Sequence, residues 1–326
     1  MNKLYPLKFK PLFKEKIWGG TRIKDMLGID FGNLSNCGEA WILSGVKYNE
    51  TVVTNGFLKG NGINELVEVY MDDLVGEKIF EKHKNEFPIL VKLIDSNDYL
   101  SIQVHPDDKL AAKRGLGNGK TEMWYILSAD PEAELISGFK EKIDQQTYLH
   151  HLESNTLKQF LNTEKVMVGN VFYIPAGRIH ALGPGILLAE IQQTSDVTYR
   201  LYDWDRVDGE GKKRELHTKE AIEAIDFNVY KNYKTQYYEV LNKSVELVSQ
   251  PFFTTNIIHI NQPIKRDYTM LDSFVICTCV QGSSEMIYPD GKVNINIGEC
   301  VLIPNEIKDI LIKPFSDCKI LETFII

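Results

Sequence analysis

What most constrains this chain is a dispersed set of polar residues carried inside apolar, strand-like segments. Gln103-Val104-His105-Pro106 is followed by Gly119-Lys120-Thr121-Glu122, and later by the run from Gly169 to His180 that reads Gly-Asn-Val-Phe-Tyr-Ile-Pro-Ala-Gly-Arg-Ile-His. A Gln, two His and a Glu from three separate strand-like segments make up the ligand set of an open divalent-metal site. The rest of the sequence is organised around that set.

Hydrophobic periodicity gives these residues their setting. Residues 88–95 read as a buried strand, with Lys92 in its middle, and residues 99–105 as its partner after the turn Ser96-Asn97-Asp98. A period of two puts Ser101, Gln103 and His105 on one face of that second strand. Residues 122–127 form the next strand, entered from a Gly-rich loop at 114–119 with the composition of a substrate gate. Strands return at 171–175, 186–192 and 197–202, and the chain is strand-rich from about residue 240 to its end. Helical spacing marks residues 63–86, 140–164 and 218–225.

At 326 residues, 43% hydrophobic and 25% charged, the chain is long enough for two packed cores. A net charge of −8 and the absence of any Lys/Arg block argue against a nucleic-acid partner, which needs a basic face. An anionic substrate must therefore be held by a few local cations. Met1-Asn2-Lys3-Leu4-Tyr5-Pro6 lacks the apolar core of a signal peptide, and no run approaches the roughly 18 apolar residues of a membrane span. The expectation is a cytoplasmic protein with no membrane partner; the sequence carries no signal for an oligomeric state.

Five cysteines, Cys37, Cys277, Cys279, Cys300 and Cys318, are an odd number scattered over a long chain and form no disulfide framework. Cys277-Thr278-Cys279 lies inside an apolar strand pattern, where cysteine behaves as a small buried hydrophobe. His83, His150, His151, His217 and His259 read as ordinary structural histidines.

An internal echo links the two halves. Gly169 and Pro175 bracket an apolar strand, and so do Gly298 and Pro304. The copies differ in chemistry, because Asp309 stands where the first copy has His180, and no Gln-x-His lies near it.

The Gly-x5-Pro-x-Gly-x2-His string from Gly169 to His180 resembles the second signature of the cupin superfamily of small metal-holding jelly-roll barrels. It lacks the Asn that often follows, with Pro184 there instead, and the first signature is altered: Gln103 replaces a His, and Glu122 follows His105 only after a long gap. Together with Trp18-Gly19-Gly20, Gly38-Glu39-x-Trp41, Gly119-Lys120-x-Glu122 and Glu190-x9-Arg200, the chain resembles the type I mannose-6-phosphate isomerases in their short bacterial form, with too few residues between Glu122 and His180 for the large helical domain of the long form. The resemblance runs from about residue 5 to 206 and weakly beyond.

That resemblance implies a mainly β fold of two cupin-like jelly-roll barrels, with helices packed on the N-terminal half. Residues 1–235 would be the catalytic metal-binding domain and residues 236–326 a metal-free partner. It implies one Zn²⁺ per chain on Gln103, His105, Glu122 and His180. The reaction would be aldose–ketose isomerisation of mannose 6-phosphate and fructose 6-phosphate through an enediol. Arg200 would be a main catalytic cation, Glu190 a proton carrier and Lys120 a group for ring opening or proton relay. Trp18, Lys92, Ser101 and Arg200 would contact the sugar phosphate. Glu190 and Arg200 could instead form an ion pair that orients the guanidinium. Two other classes stay open: another metal-dependent cupin enzyme, such as an iron oxygenase, and a non-catalytic sugar-binding or regulatory cupin.

Overall fold

A computed structural model describes residues 3–154, 156–207 and 210–326. Its architecture follows from two strands, Ile89–Ser96 and Ile186–Gln193, in which every residue is buried. Strands covered on both faces belong at the centre of a layered molecule. They pair antiparallel in the middle of a seven-stranded sheet. Its order is Lys234–Thr235, Val171–Ile174, Glu122–Ala129, Ile186–Gln193, Ile89–Ser96, Glu39–Leu43 and Leu12–Lys14.

The two faces of this sheet have different partners. Ile94, Trp124, Ile126, Phe172, Ile186 and Leu188 pack with Leu135 and Leu182 of a facing five-stranded sheet. That second sheet runs Tyr199–Tyr202, Ile102–Val104, His180–Leu182, Glu134–Phe139 and Leu161–Lys165. On the other face, Val91, Leu93, Met123, Leu187 and Ile191 share a core with the helices Ile63–Val75 and Glu77–His83 and with Phe253, Ile257, Ile276 and Leu321 of the C-terminal half. The helices Gln145–Glu153 and Thr218–Ala224 cover the outer face of the five-stranded sheet, through residues such as Tyr148 and Ala221.

The C-terminal half repeats the pairing on a smaller scale. A five-stranded sheet faces a four-stranded one across Ile258, Val275, Cys277, Met286, Ile295, Val301 and Ile312. The echo seen in sequence holds in space. Gly169 (φ 82°) precedes the strand Val171–Ile174 and Gly298 (φ 80°) precedes Cys300–Ile303, both in the left-handed turn conformation that glycine adopts without a Cβ penalty. His180 opens the strand that follows the first turn; Asp309 opens the one that follows the second.

The fold is mainly β, and among the described residues all helices lie in the N-terminal part. The sheets remain open: they form two face-to-face pairs, and none closes into a barrel, because the edge strands of facing sheets are not hydrogen-bonded to one another. Three local expectations shift. The strand read as 99–105 is regular only over Ile102–Val104, and it joins the facing five-stranded sheet, not the strand Ile89–Ser96. The helical reading of 140–164 covers the helix Gln145–Glu153 and a 3-10 turn, but Leu161–Lys165 is a strand, recruited by antiparallel pairing with Glu134–Phe139. The Gly-rich segment 114–119 does not line the cavity beside Gln103 and His180; Asn118 bonds to Glu86 and Thr194 instead, and the Gly119 N–H donates to Asp108.

Candidate active site

Register brings the predicted ligands together. His180 stands opposite Gln103, and Gln103 opposite Arg200, so three polar side chains form a row across three adjacent strands of the five-stranded sheet. His105 follows the same strand as Gln103. Its carbonyl accepts from the Gly177 N–H at 2.9 Å, which ties the Gly-x5-Pro turn to the Gln-x-His segment. Glu122 reaches into the same space from the seven-stranded sheet.

The Nε2 atoms of His105 and His180 lie 3.5 and 3.4 Å from the two Glu122 carboxylate oxygens, and the candidate ligand atoms of all three residues fall within 4.8 Å of one another. Each imidazole uses its Nδ1 on a backbone carbonyl: His105 on Val197 and His180 on Arg178, both at 2.9 Å. A neutral ring that donates from Nδ1 leaves the Nε2 lone pair for a cation, which is how metal-bound histidines are commonly oriented. Burial, then the nearby Lys120, pushes the His180 pKa down to about 3 and that of His105 well below its usual value, so both rings are neutral at physiological pH. Burial, then Glu190, raises the Glu122 carboxyl to about 7, while Lys120 pulls the other way.

The donor set fits a divalent cation. Lys120 Nζ already sits 2.9 Å from His105 Nε2 and 2.6 Å from Glu122 Oε2, so positive charge is drawn to this point. Glu122 Oε1 is buried with no hydrogen-bond partner. The amide head of Gln103, 3.2 Å from His180 Nε2, is placed to add a neutral fourth donor. Among the described residues this is the one cluster of three His, Cys, Asp or Glu groups that could hold a metal.

Beside the cluster is a cavity of about 260 Å³ lined by Trp18, Lys92, Ser101, Gln103, Lys120, His180, Glu190 and Arg200, among others. Every residue proposed from the sequence to contact substrate reaches it. Trp18 is both wall and core, since it also joins the apolar cluster between the sheets. Two residues on, a Cβ at Gly20 would come within 2.5 Å of the Asp95 carboxylate and would push it off the Arg22 N–H.

Lys92 and Glu190 resolve differently from the expectation of a Glu190–Arg200 pair. They are register partners on the two central strands, and Lys92 Nζ meets Glu190 Oε1 at 2.9 Å. Trp124 Nε1 donates to the other carboxylate oxygen at 2.9 Å, and Lys92 Nζ lies 5.2 Å from the centre of the Trp41 ring. A charge buried this deeply without a partner costs several kcal/mol, so direct pairing across the ladder is the stable outcome. Arg200 instead donates from Nη1 to the Glu215 carbonyl at 2.8 Å.

The sequence reading did not single out Lys16, Asp196, Thr198 or Arg214 as cavity residues, and used Glu39 only as part of a motif. Glu39 takes a hydrogen bond from Trp41 Nε1 at 2.7 Å and an ion pair from Lys16 at 3.0 Å. The Gly38-Glu39-x-Trp41 spacing, two residues apart on one strand face, was a signal that could have found it. Arg214 comes from a polar loop with no periodicity, and no local signal marks it.

These features define a class: a mainly β protein with a candidate metal centre opening onto a cation-lined cavity. The comparisons narrow it. Residues 6–160 match the sequence family described as phosphomannose isomerase type I, catalytic domain. The chain is 34% identical over 316 residues to the mannose-6-phosphate isomerase ManA of Bacillus subtilis, covering 96% of this chain and 97% of that protein. It is 33% identical over 305 residues to a mannose-6-phosphate isomerase of Streptococcus mutans, covering 93% of each. The crystal structure of a mannose 6-phosphate isomerase from Bacillus subtilis superposes with a TM-score of 0.86 at 32% identity, over 98% of this chain and 99% of that one. The chain belongs to the type I phosphomannose isomerase family and is an enzyme of that family.

Proposed function

We propose that this enzyme interconverts mannose 6-phosphate and fructose 6-phosphate, with one zinc ion per chain. The observation that carries this reading is the shared placement of the buried His105–Glu122–His180 cluster and the Lys/Arg-lined cavity. They sit in a chain that matches named isomerases over nearly its whole length. His105, Glu122 and His180 would hold the ion, with the Gln103 amide oxygen as fourth ligand. When bound, zinc would supply Lewis-acid stabilisation of the negative charge that builds on the C1 and C2 oxygens.

The chain's own groups do the remaining work. Arg200 keeps its charge at any working pH and stabilises the enediol oxygens and the anionic end of the sugar. Lys120 is within hydrogen-bond reach of His105 and Glu122, and is suited to pass a proton during ring opening. Glu190, held ionised by Lys92 and Trp124, is a fixed carboxylate facing the cavity and the second candidate for moving the C1/C2 proton. Ser101 and Lys92 offer a hydroxyl and an ammonium to the substrate. Trp18 closes one wall.

The modular reading goes with this function. Residues 1–235 would form the catalytic cupin-type unit and residues 236–326 a partner whose interior is filled mostly by apolar side chains, around a buried Glu322 paired with Arg266 and Tyr268. The setting we favour is the cytoplasm; among the described residues no helix is long and apolar enough to cross a membrane. The test is a coupled assay for fructose 6-phosphate. Activity should be lost on chelation and restored by zinc; unchanged turnover in a protein shown to be metal-free would count against the zinc requirement.

A further inference from the structure

The connection between the two sheets of the N-terminal half carries an unusual load. Thr194 to Thr198 lead from the central strand Ile186–Gln193, which bears Glu190, to the edge strand Tyr199–Tyr202, which bears Arg200. Asp196 and Thr198 line the cavity, and the Val197 carbonyl between them accepts the 2.9 Å hydrogen bond from His105 Nδ1. The orientation of one candidate metal ligand therefore depends on where this short connection runs.

The start of the connection is held at several points. The Thr194 N–H and hydroxyl donate to the Pro88 and Phe87 carbonyls at 2.9 and 2.6 Å, and the Ser195 hydroxyl donates to the Asn118 carbonyl at 3.1 Å. One further bond reaches it from the face of the sheet that bears Glu122, and it comes from Gln192.

Gln192 is fully buried and stands opposite Glu122 in the ladder, so both side chains share one face of the seven-stranded sheet. Its Nε2 donates to two backbone carbonyls, those of Gln193 and Ser195, each at 2.8 Å. Its Oε1 is buried without a partner, and so is Oε1 of Glu122. A buried amide with an unmet oxygen is destabilising, so an apolar side chain of similar length would suit this position better if packing alone decided it. What the amide supplies is its two donors, and they hold the Ser195 carbonyl two residues before that of Val197. Gln192 does not line the cavity, so its influence passes through the backbone.

We propose that Gln192 is a positioning residue for the metal centre: by holding the Ser195 carbonyl it fixes the Val197 carbonyl that orients the His105 ring, and so sets how tightly this enzyme holds its divalent ion. The inference rests on the metal-centre reading above and deepens it. A histidine whose Nδ1–H is held by a fixed carbonyl presents its Nε2 lone pair in one direction, and freeing that carbonyl lets the ring turn.

The test measures zinc affinity of the full chain by competition with a chromophoric chelator, and it needs no turnover. Gln192→Met should weaken zinc binding about 10–100-fold, the range for loss of a group that orients a metal-bound histidine. Gln192→Asn keeps an amide but is one methylene too short to reach both carbonyls, and should fall between wild type and Gln192→Met. Made in a His105→Ala background, Gln192→Met should change zinc affinity by less than about threefold, because the ring it orients is gone. Made in His180→Ala, it should weaken binding as much as in wild type. General loosening of the fold would instead weaken binding in both backgrounds. In metal-free protein, NMR should find the His105 Nδ1–H slow to exchange in wild type and fast in Gln192→Asn, which keeps the proposal testable if Gln192→Met does not fold. Wild-type zinc affinity in both Gln192 variants overturns the proposal, as does an equal loss in the His105→Ala background or an Nδ1–H that exchanges as slowly in Gln192→Asn as in wild type. Because that exchange is read without metal, a wild-type protein that bound no zinc would sink the metal-centre reading and leave the coupling of Gln192 to His105 standing.

Discussion

Lys92 and Glu190 face each other at one register position of the two central strands, and their side chains meet at 2.9 Å with both residues almost entirely out of solvent. This pair places a fixed negative charge on the cavity wall, opposite the strands that carry Gln103 and His180. It also makes a stability prediction with a definite sign.

Burial alone would push the Glu190 carboxyl up; Lys92, with help from Lys120 and Trp124, holds it down to about 2. The folded value lies below the unfolded value of about 4.3, so the pair's contribution is fully present above that pH and is lost as pH falls toward 2. At pH 7, Lys92→Met strands the carboxylate and should lower unfolding stability by about 3–5 kcal/mol, with Lys92→Met/Glu190→Gln recovering much of it. Denaturant unfolding checks this, and equal loss in the single and double variants would contradict it.

The neutral histidines predict a second acid limb. His180 is held near 3, and His105 is depressed as well, so below about 6.5 the unfolded chain takes up protons that the folded chain refuses. Metal-free protein should therefore lose stability steadily from pH 6.5 toward 4, and bound zinc should oppose the loss by mass action. Thermal melting against pH, with and without zinc, reports both effects. Glu122, whose carboxyl burial raises to about 7, takes up a proton in the folded state over the same range and offsets part of the loss, so the profile should be steeper in Glu122→Gln than in wild type; no steepening would contradict the account.

On the proposed mechanism, Arg200 is expected to give the largest cation effect on turnover. Arg200→Ala should reduce kcat/KM by about 10²–10³, in the range for removal of one charge-stabilising donor. The loss should appear in kcat as well as KM. Steady-state kinetics on mannose 6-phosphate separates the two, and a change below threefold would remove Arg200 from the mechanism.

All five cysteines are buried and unpaired. Burial pushes the Cys300 thiol up to about 12 and that of Cys277 well above its usual value, both of which slow attack on disulfide reagents. Native protein should react slowly with an aromatic disulfide reagent and release five equivalents only on unfolding. Rapid release of two or more from folded protein would contradict the packing of the C-terminal sheets.

Much of this site was legible in the sequence because its residues interrupt strong patterns. Lys92 breaks an apolar run, Gln103 and His105 share the period-two face of a strand, and the Gly169–His180 string carries a turn and a ligand at fixed spacing. The strands around them were legible for the same reason, since they are buried on one or both faces. Leu161–Lys165 was not, because Leu-Asn-Thr-Glu-Lys has no apolar alternation and takes its structure from pairing with Glu134–Phe139. Partner choice was hidden as well. In sequence Glu190 was matched with Arg200, and only the register of Ile186–Gln193 on Ile89–Ser96 pairs it with Lys92. Arg214 was invisible because it reaches the cavity from a polar loop pinned by Asp203, a contact that exists only in space. Sheet closure belongs to the same group: strand patterns imply sandwiched layers, but whether their edges bond depends on strand lengths and curvature that alternation does not encode.

The most direct measurement joins metal content to turnover in two proteins, wild type and His180→Ala. Wild type should bind one zinc ion per chain and convert mannose 6-phosphate to fructose 6-phosphate. His180→Ala should stay folded by circular dichroism, bind zinc at least tenfold more weakly and lose nearly all activity. A folded His180→Ala protein that keeps both its zinc and its turnover would contradict the assignment of this cluster as the catalytic metal centre.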